Sequence, residues 1–197
     1  MKYSERVILV DVDGVLLMWL EMFIEYMNSH GHILHDENTY NLHDGFKMTS
    51  DQITDFVDLF HESAILQSLP PYLDAVKYVK KLHDEFGYVL HCITAIPGNP
   101  YTKMARTKNL ETVFGADVIE RLECVGHSRN KYPVLTEYKN SGKLWVEDHF
   151  ANALMGAELG LKSVIMDARH NRQYSDERIK RVKNWEDIYH MVSETHK

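Results

Sequence analysis

The chain has 197 residues, of which 44% are hydrophobic and 26% charged, and it carries a formal net charge of −7. This size and composition predict one globular domain, with at most a small accessory unit, that can bury a core without disulfides or structural metals. The negative charge argues against binding to nucleic acid or to an anionic membrane surface, because both are polyanions.

Two features of the sequence indicate the cellular compartment of the protein. The N-terminus leads directly into the apolar run 7–10, which is too short for a signal peptide or a membrane span. The two cysteines, Cys92 and Cys124, lie in apolar runs that predict buried strands, so they indicate free thiols in a reducing environment. We therefore expect a cytoplasmic protein with no transmembrane segment, and the pattern leaves its oligomeric state open.

Apolar runs alternate with amphipathic patterns along most of the chain. This alternation predicts an α/β fold with a Rossmann-like parallel sheet covered by helices on both faces. The predicted strands are 7–10, 88–93, 119–125, 144–146 and 163–166. The predicted helices that follow them are 73–86, 101–114, 131–138, 150–159 and 184–192.

One connection breaks this alternation. More than fifty residues separate Asp13 from Pro70, whereas a usual βα loop has about 2–6. The insert has its own helical patterns, with a capping-box spacing at Thr49 and Gln52. We expect a core of residues 1–15 and 73–197 and a helical cap of residues 16–72, placed above the strand ends where α/β sheets bind ligands. The apolar stripes are Leu16, Leu20, Phe23, Ile24 and Met27, then Ile53, Phe56, Val57 and Phe60.

The cap is rich in aromatic residues, and two interpretations remain open. They could form a clamp for a nucleobase, or they could form the apolar core of the cap, which is the commoner role of aromatic residues at helical spacing. The residues concerned are Trp19, Phe23, Tyr40, Phe46, Phe56 and Phe60.

Acidic or hydroxyl side chains follow three predicted strands. They are Asp11 and Asp13 after the first, Thr94 after the second, and Glu147 with Asp148 after the fourth. Because the carboxyl ends of parallel strands lie side by side, these groups should converge. Each residue alone could cap a helix, but all of them together favour a site. Carboxylates without histidine or cysteine partners suit a hard cation such as Mg²⁺.

These residues resemble the four motifs of the haloacid dehalogenase superfamily. The run 11–15, Asp-Val-Asp-Gly-Val, is similar to the first motif, and Thr94 to the second. Lys131 is similar to the third, and Glu147 with Asp148 to the fourth. The insert lies between the first and second motifs, as in members with a helical cap at that position.

The core also resembles the 5′(3′)-deoxyribonucleotidase group of this superfamily. Two departures are Ala95, where the group usually has serine, and Glu147, where it usually has aspartate. The cap shows no match to the substrate-binding residues of that group. The shared features are Asp74-Ala75-Val76, Cys92-Ile93-Thr94, Tyr101, Lys103, Phe114-Gly115, 128–131, Leu144-Trp145, His170-Asn171 and Trp185.

The resemblance implies a Mg²⁺-dependent phosphatase. Asp11 would attack phosphorus and form an aspartyl-phosphate, while Asp13 would protonate the leaving oxygen and later activate water. The metal ligands would be Asp11, Asp13 through its backbone carbonyl, and Asp148, with Glu147 helping directly or through water.

The resemblance also implies how the substrate is held. Thr94, Ala95 and Lys131 would bind the phosphoryl oxygens, and Arg129 and Lys103 are candidate substrate contacts. The expected partner is a small phosphate ester, with a nucleoside 5′-monophosphate first and a sugar phosphate second. A non-catalytic nucleotide-binding relative is the third alternative.

Overall fold

The computed structural model describes residues 5–126 and 130–196. Within these ranges the chain forms one six-stranded sheet in the order β3-β2-β1-β4-β5-β6, and every neighbouring pair is parallel. The predicted α/β fold class is therefore confirmed. The strands are β1 Val7–Val10, β2 Val89–Thr94, β3 Ile119–Cys124, β4 Leu144–Glu147, β5 Lys162–Met166 and β6 Lys180–Val182.

Eight α-helices accompany these strands in the described residues. The five helices predicted for the core are present with ends that differ by up to two residues, and the predicted helix 131–138 is shorter than expected. The helices are α1 Trp19–Ser29, α2 Leu42–Phe46, α3 Ser50–Glu62, α4 Leu73–Phe86, α5 Pro100–Phe114, α6 Tyr132–Thr136, α7 Phe150–Glu158 and α8 Trp185–Glu194.

Two elements were not predicted from the sequence. The edge strand β6 has only three residues, and Lys180 and Arg181 are exposed, so no apolar run indicates it. The short helix α2 ends at Lys47, which adopts the left-handed conformation with a φ of 54°. Neither element is long enough to show a hydrophobic period.

The insert between β1 and α4 contains α1, α2, α3 and a 3₁₀ segment, Ala64–Ser68. The predicted capping box is confirmed, because Thr49 Oγ1 accepts from the Gln52 N–H and Gln52 Oε1 accepts from the Thr49 N–H. Phe23, Phe60 and Leu66 are fully buried in the same apolar cluster as Ile8 and Val10 of the sheet. A continuous apolar core therefore joins the insert to the strands beneath it.

The strand order places a topological switch point beside β1. The chain runs outward from β1 through β2 to β3, and then returns to the other side of β1 to form β4. Ligands of open α/β sheets bind at the carboxyl ends of the two strands that flank such a point. Asp11 follows β1, and Glu147 and Asp148 lie at the end of β4, so the strand-end residues flank this crevice. None of the helices in the described residues has the length and apolar character needed to span a bilayer.

Candidate active site

The loop after β1 is a compact turn that presents Asp11 and Asp13. The Val12 carbonyl accepts the Leu16 N–H at 2.8 Å and the Leu17 N–H at 2.9 Å. Gly14 has a φ of +81°, and a Cβ there would lie 2.5 Å from Asp148 Oδ2. Only glycine is compatible with both the backbone conformation and the approach of the Asp148 carboxylate.

Lys131 joins the first and fourth strand ends. This side chain is 1% exposed, and its Nζ lies 2.8 Å from Asp11 Oδ1 and 2.9 Å from Glu147 Oε2. Burial lowers the pKa of Lys131, but the carboxylates of Asp11 and Glu147 outweigh burial and raise that pKa above its ordinary value. The ammonium therefore stays charged throughout the physiological pH range.

Glu147 is held on both carboxylate oxygens. Oε2 accepts from Lys131, while Oε1 accepts from the Asn152 side-chain amide at 3.0 Å and from the His149 N–H at 3.4 Å. The side chain is fully buried. Burial, followed by the nearby Asp11 charge, raises the pKa of Glu147 well above its ordinary value.

Asp13 lies between Thr94 and an arginine that sequence analysis missed. The Thr94 hydroxyl donates to Asp13 Oδ2 at 3.1 Å, and Arg106 Nη2 lies 2.8 Å from Asp13 Oδ1. Burial raises the pKa of the Asp13 carboxyl, and the Arg106 guanidinium opposes that rise. Arg106 could not be identified from the sequence. It lies on the buried face of α5 with Thr102, Ala105 and Asn109, and this face has mixed polarity and no clear amphipathic pattern.

Asp148 is anchored by the segment after β5. Its backbone carbonyl accepts from the Asn171 side-chain amide at 2.7 Å and contacts His170 Nε2 at 3.1 Å. Burial and the charge of Asp11 raise the pKa of Asp148 to about 8. Burial also lowers the pKa of His170, so this ring is predominantly neutral at neutral pH and does not compensate the carboxylate.

The donor set fits a divalent cation. Asp11, Glu147 and Asp148 each offer a carboxylate oxygen within 4.8 Å of the others. Counting Asp13, the described residues of the site include four carboxylates but two partner cations, Lys131 and Arg106. Carboxylate oxygens in excess of the protein cations suit Mg²⁺, which prefers hard oxygen ligands.

A cavity of about 220 Å³ opens above these groups. The cap contributes an apolar and aromatic wall, in which Trp19 Nε1 donates to His61 Nε2 at 3.1 Å. In its neutral form His61 therefore carries its proton on Nδ1. Tyr40 of the cap stacks on His149 of the core, with ring centroids 4.2 Å apart. This contact joins the cap to the residue that follows Asp148. The lining residues from the cap are Trp19, Leu20, Thr39, Tyr40, Leu42, Val57 and His61.

Some of the aromatic residues of the cap belong to its apolar core, and others line the cavity, where a nucleobase clamp was one interpretation. Phe23 and Phe60 are fully buried, and Phe46 is nearly so, which makes them core residues. Trp19 and Tyr40 line the cavity. Position within the three-dimensional cap, rather than residue type, separates the two groups.

The structure brings most of the predicted site residues to the cavity, but not all of them. Asp11, Asp13, Ala95, Lys131 and Asp148 line the cavity, with Thr94 and Glu147 buried directly beside it. Lys103 is exposed on α5 and is not among the lining residues, so the structure does not bring it to the site. Arg129 lies outside the described residues.

Comparison of the sequence with known proteins does not assign the chain to a family. No protein-family model matches the chain. An uncharacterised 32.4 kDa protein from the Gp30-rIII intergenic region of Enterobacteria phage T4 is 25% identical over 190 residues, which cover 92% of this chain and 67% of that protein.

Three solved structures share the fold. A haloacid dehalogenase-like hydrolase from Streptococcus pneumoniae has a TM-score of 0.65 and 14% identity, covering 94% of this chain and 98% of its own. An L-2-haloacid dehalogenase has a TM-score of 0.58 and 13% identity, with coverages of 96% and 100%. The D,D-heptose 1,7-bisphosphate phosphatase of Burkholderia thailandensis has a TM-score of 0.57 and 11% identity, with coverages of 95% and 98%. The chain therefore has the fold of the haloacid dehalogenase-like hydrolases.

Proposed function

We propose that the protein is a phosphomonoesterase that acts through an aspartyl-phosphate and prefers nucleoside 5′-monophosphates. The observation that carries this proposal is the pairing of two carboxylates at the end of β1. Asp11 lies beside Lys131, and Asp13 lies beside Thr94. This pairing supports Asp11 as the nucleophile and Asp13 as the acid and base.

Asp11 is held in a defined orientation for attack. Its Oδ1 accepts from the Val12 N–H at 2.7 Å and lies 2.8 Å from Lys131 Nζ. Oδ2 therefore remains for bond formation to phosphorus. As the bond from Oδ2 to phosphorus forms, the bond from phosphorus to the ester oxygen breaks, and Asp13 gives its proton to that oxygen. In the second half, Asp13 takes a proton from water as the water oxygen attacks phosphorus. The bond between Asp11 Oδ2 and phosphorus then breaks, which releases inorganic phosphate and regenerates the Asp11 carboxylate.

Mg²⁺ would be held by Asp11, Asp148 and the backbone carbonyl of Asp13. When bound, it neutralises charge between the anionic nucleophile and the anionic ester. Both oxygens of Glu147 already have protein partners. We therefore assign Glu147 the role of anchoring Lys131 rather than that of a direct metal ligand. Thr94 and Lys131 would stabilise the phosphoryl oxygens as charge redistributes.

The cavity supports a small substrate with a flat leaving group. Trp19 and Tyr40 offer aromatic faces, while Leu42 and Val57 offer apolar contact. A cavity of about 220 Å³ beneath a cap is too small for a folded protein or a nucleic acid duplex. Together with the resemblance of the core to deoxyribonucleotidases, this lining favours a mononucleotide over a hexose phosphate, whose hydroxyl groups would need more polar partners.

Halide displacement, the reaction named for one of the structural neighbours, is less well matched to this site. A halide leaves as a stable anion and needs no proton donor, whereas an alkoxide leaving group needs one. Asp13, with its raised pKa and its contact to Thr94, is placed to supply that proton. The second carboxylate therefore favours ester hydrolysis.

The test is steady-state kinetics under one set of conditions with Mg²⁺ present. Substrates should include dTMP, dUMP, a purine deoxynucleotide, a hexose phosphate, 4-nitrophenyl phosphate and L-2-chloropropanoate, with phosphate or halide release measured. We expect the nucleotides to show the highest kcat/KM, because contacts to the base help to align the ester with Asp11. A clear advantage for the hexose phosphate would contradict the nucleotide preference. Nucleotide binding without hydrolysis would instead support a non-catalytic protein.

A further inference from the structure

Arg106 is a buried cation whose described ion-pair partner is a catalytic carboxylate. It lies on α5 with 0% exposure, and its Nη2 is 2.8 Å from Asp13 Oδ1. The two atoms are close but not aligned as a hydrogen bond, and in the described residues Nε and Nη1 also have no hydrogen-bond partner. The contact is therefore an ion pair that leaves most of the guanidinium unsatisfied.

Stability does not account for this arrangement. Removing a guanidinium from water is costly, and a buried ion pair offsets that cost only when its geometry is good and its remaining donors are satisfied. Neither condition holds for Arg106 among the described residues. A methionine of similar volume would fill the same space without the desolvation cost. The presence of arginine therefore points to a role at Asp13.

We propose that Arg106 is a positioning residue for the acid and base Asp13. The guanidinium holds Oδ1, which is itself buried, whereas the Asp13 side chain as a whole keeps 22% exposure and lines the cavity. Oδ2 is then the oxygen that would meet the leaving group, and it accepts from the Thr94 hydroxyl at 3.1 Å.

The helix that carries Arg106 is hydrogen-bonded to the end of the insert and is capped at its own start. Asn109, one turn along the same face of α5, donates to the Leu69 carbonyl at 3.1 Å, where the insert returns to the core. At its start, α5 is capped by Asn99, whose side chain accepts from the Thr102 N–H. A side chain on such a helix can hold a carboxylate more rigidly than one on a loop.

The dependence of kcat/KM on the leaving group distinguishes positioning of Asp13 from a purely structural role of Arg106, because a structural role would not change that dependence. This inference rests on the proposed phosphatase activity, which the wild-type rates test separately. Kinetics should compare phenyl phosphate, whose leaving oxygen needs a proton, with 2,4-dinitrophenyl phosphate, whose leaving oxygen does not. The ratio kcat/KM reports formation of the aspartyl-phosphate, the step in which Asp13 acts as the acid.

We expect Arg106→Met to lower kcat/KM for phenyl phosphate by about 100-fold and for 2,4-dinitrophenyl phosphate by less than about 5-fold, since general acid catalysis contributes about 10²–10⁴-fold. Arg106→Lys, which restores the charge, should recover about a tenth of the wild-type rate on phenyl phosphate. Asp13→Asn should show the same leaving-group dependence. Adding Arg106→Met to Asp13→Asn should cost nothing further on phenyl phosphate, because Arg106 acts through Asp13.

Equal losses on both esters would overturn the positioning role, and so would a further loss of 10-fold or more in the double variant. If Arg106→Met does not fold, Arg106→Lys and the double variant, which lacks both charges, answer the same question. If the wild-type protein hydrolyses neither ester, the proposed function fails at that point, before any variant is compared.

Discussion

The two sides of the active-site cavity are built from different chemistry. The floor, at the strand ends of the core, is a network of charges in which Lys131 lies within 3 Å of Asp11 and Glu147. The wall, from the cap, is largely apolar and aromatic, and it includes a hydrogen bond from Trp19 to His61. In the proposed reaction, the floor would bind the phosphate group that all substrates share, and the wall would face the part in which they differ. The floor therefore suits the reaction, and the wall suits selection of the substrate.

The two sides also differ in how firmly their groups are held. On the floor, Asp11, Asp13 and Glu147 each have charged or hydrogen-bonded partners on neighbouring elements. On the wall, Tyr40 is held by stacking on His149 and remains 43% exposed. Changes at Asp11 or Lys131 on the floor should affect every substrate alike, and changes at Asp13 should depend on whether the leaving oxygen needs a proton. Changes in the wall should alter the ranking of substrates by the shape of the group that faces it. The variants below test that separation.

The largest effect is expected from Asp11→Asn. This change removes the nucleophile, so kcat should fall by roughly 10⁴-fold or more on every ester. Phosphate release by the purified variant is the measurement, with thermal unfolding to confirm that the protein is folded. Asp84→Asn, at an exposed site on α4, is the matched control and should keep wild-type rates. Substantial turnover by Asp11→Asn would contradict the covalent mechanism.

Removal of Mg²⁺ should have an effect of similar size. Among the described residues, the floor carries two more carboxylates than cations, and no other cation is evident among those that line the cavity. Exhaustive chelation should reduce hydrolysis to background, and added Mg²⁺ should restore it, for good and poor substrates alike. Full activity in protein shown to be metal-free by elemental analysis would argue against a metal-dependent phosphatase.

Lys131→Met should affect both activity and folding. Without the ammonium, Asp11 and Glu147 are left as uncompensated buried carboxylates, which should cost about 3–5 kcal/mol of unfolding free energy. Loss of the charge that stabilises the phosphoryl group should lower kcat by about 10²–10³-fold. Chemical denaturation and kinetics measure the two effects.

A second change separates these two effects. Adding Glu147→Gln to Lys131→Met removes one of the uncompensated carboxylates, so part of the stability should return while the activity stays low. If activity returned together with stability, Lys131 would have a structural role alone.

The smallest effect, and the one most specific to the wall, is expected from Trp19→Phe. Loss of the indole N–H removes the hydrogen bond to His61 Nε2 and reduces the aromatic surface, so kcat/KM for nucleotides should fall by about 3- to 10-fold. The rate on 4-nitrophenyl phosphate should change less than 2-fold. Tyr26→Phe, on the same helix but outside the cavity, is the matched control. An equal loss on both substrates would show that wall and floor do not act separately.

Much of the floor was predictable because strand ends are a local property of the sequence. The buried run 7–10 followed by Asp11, and the run 144–146 followed by Glu147 and Asp148, can be located from apolar residues alone. Parallel pairing then brings the strand ends together. The cap was less predictable, since Phe23 and Trp19 belong to the same helix, yet the first is core and the second lines the cavity.

The sequence by itself determined the α/β architecture, the helical insert after the first strand and the convergence of acidic residues, because these follow from short-range periodicity and from the polarity of parallel strands. The tertiary structure alone decided that Arg106 meets one of those acids. Arg106 lies more than ninety residues from Asp13 in the chain, on a helix face whose burial cannot be seen from its own composition. Burial and ion pairing depend on which distant elements pack together, and the energy of a charge depends on those neighbours rather than on its own residue type.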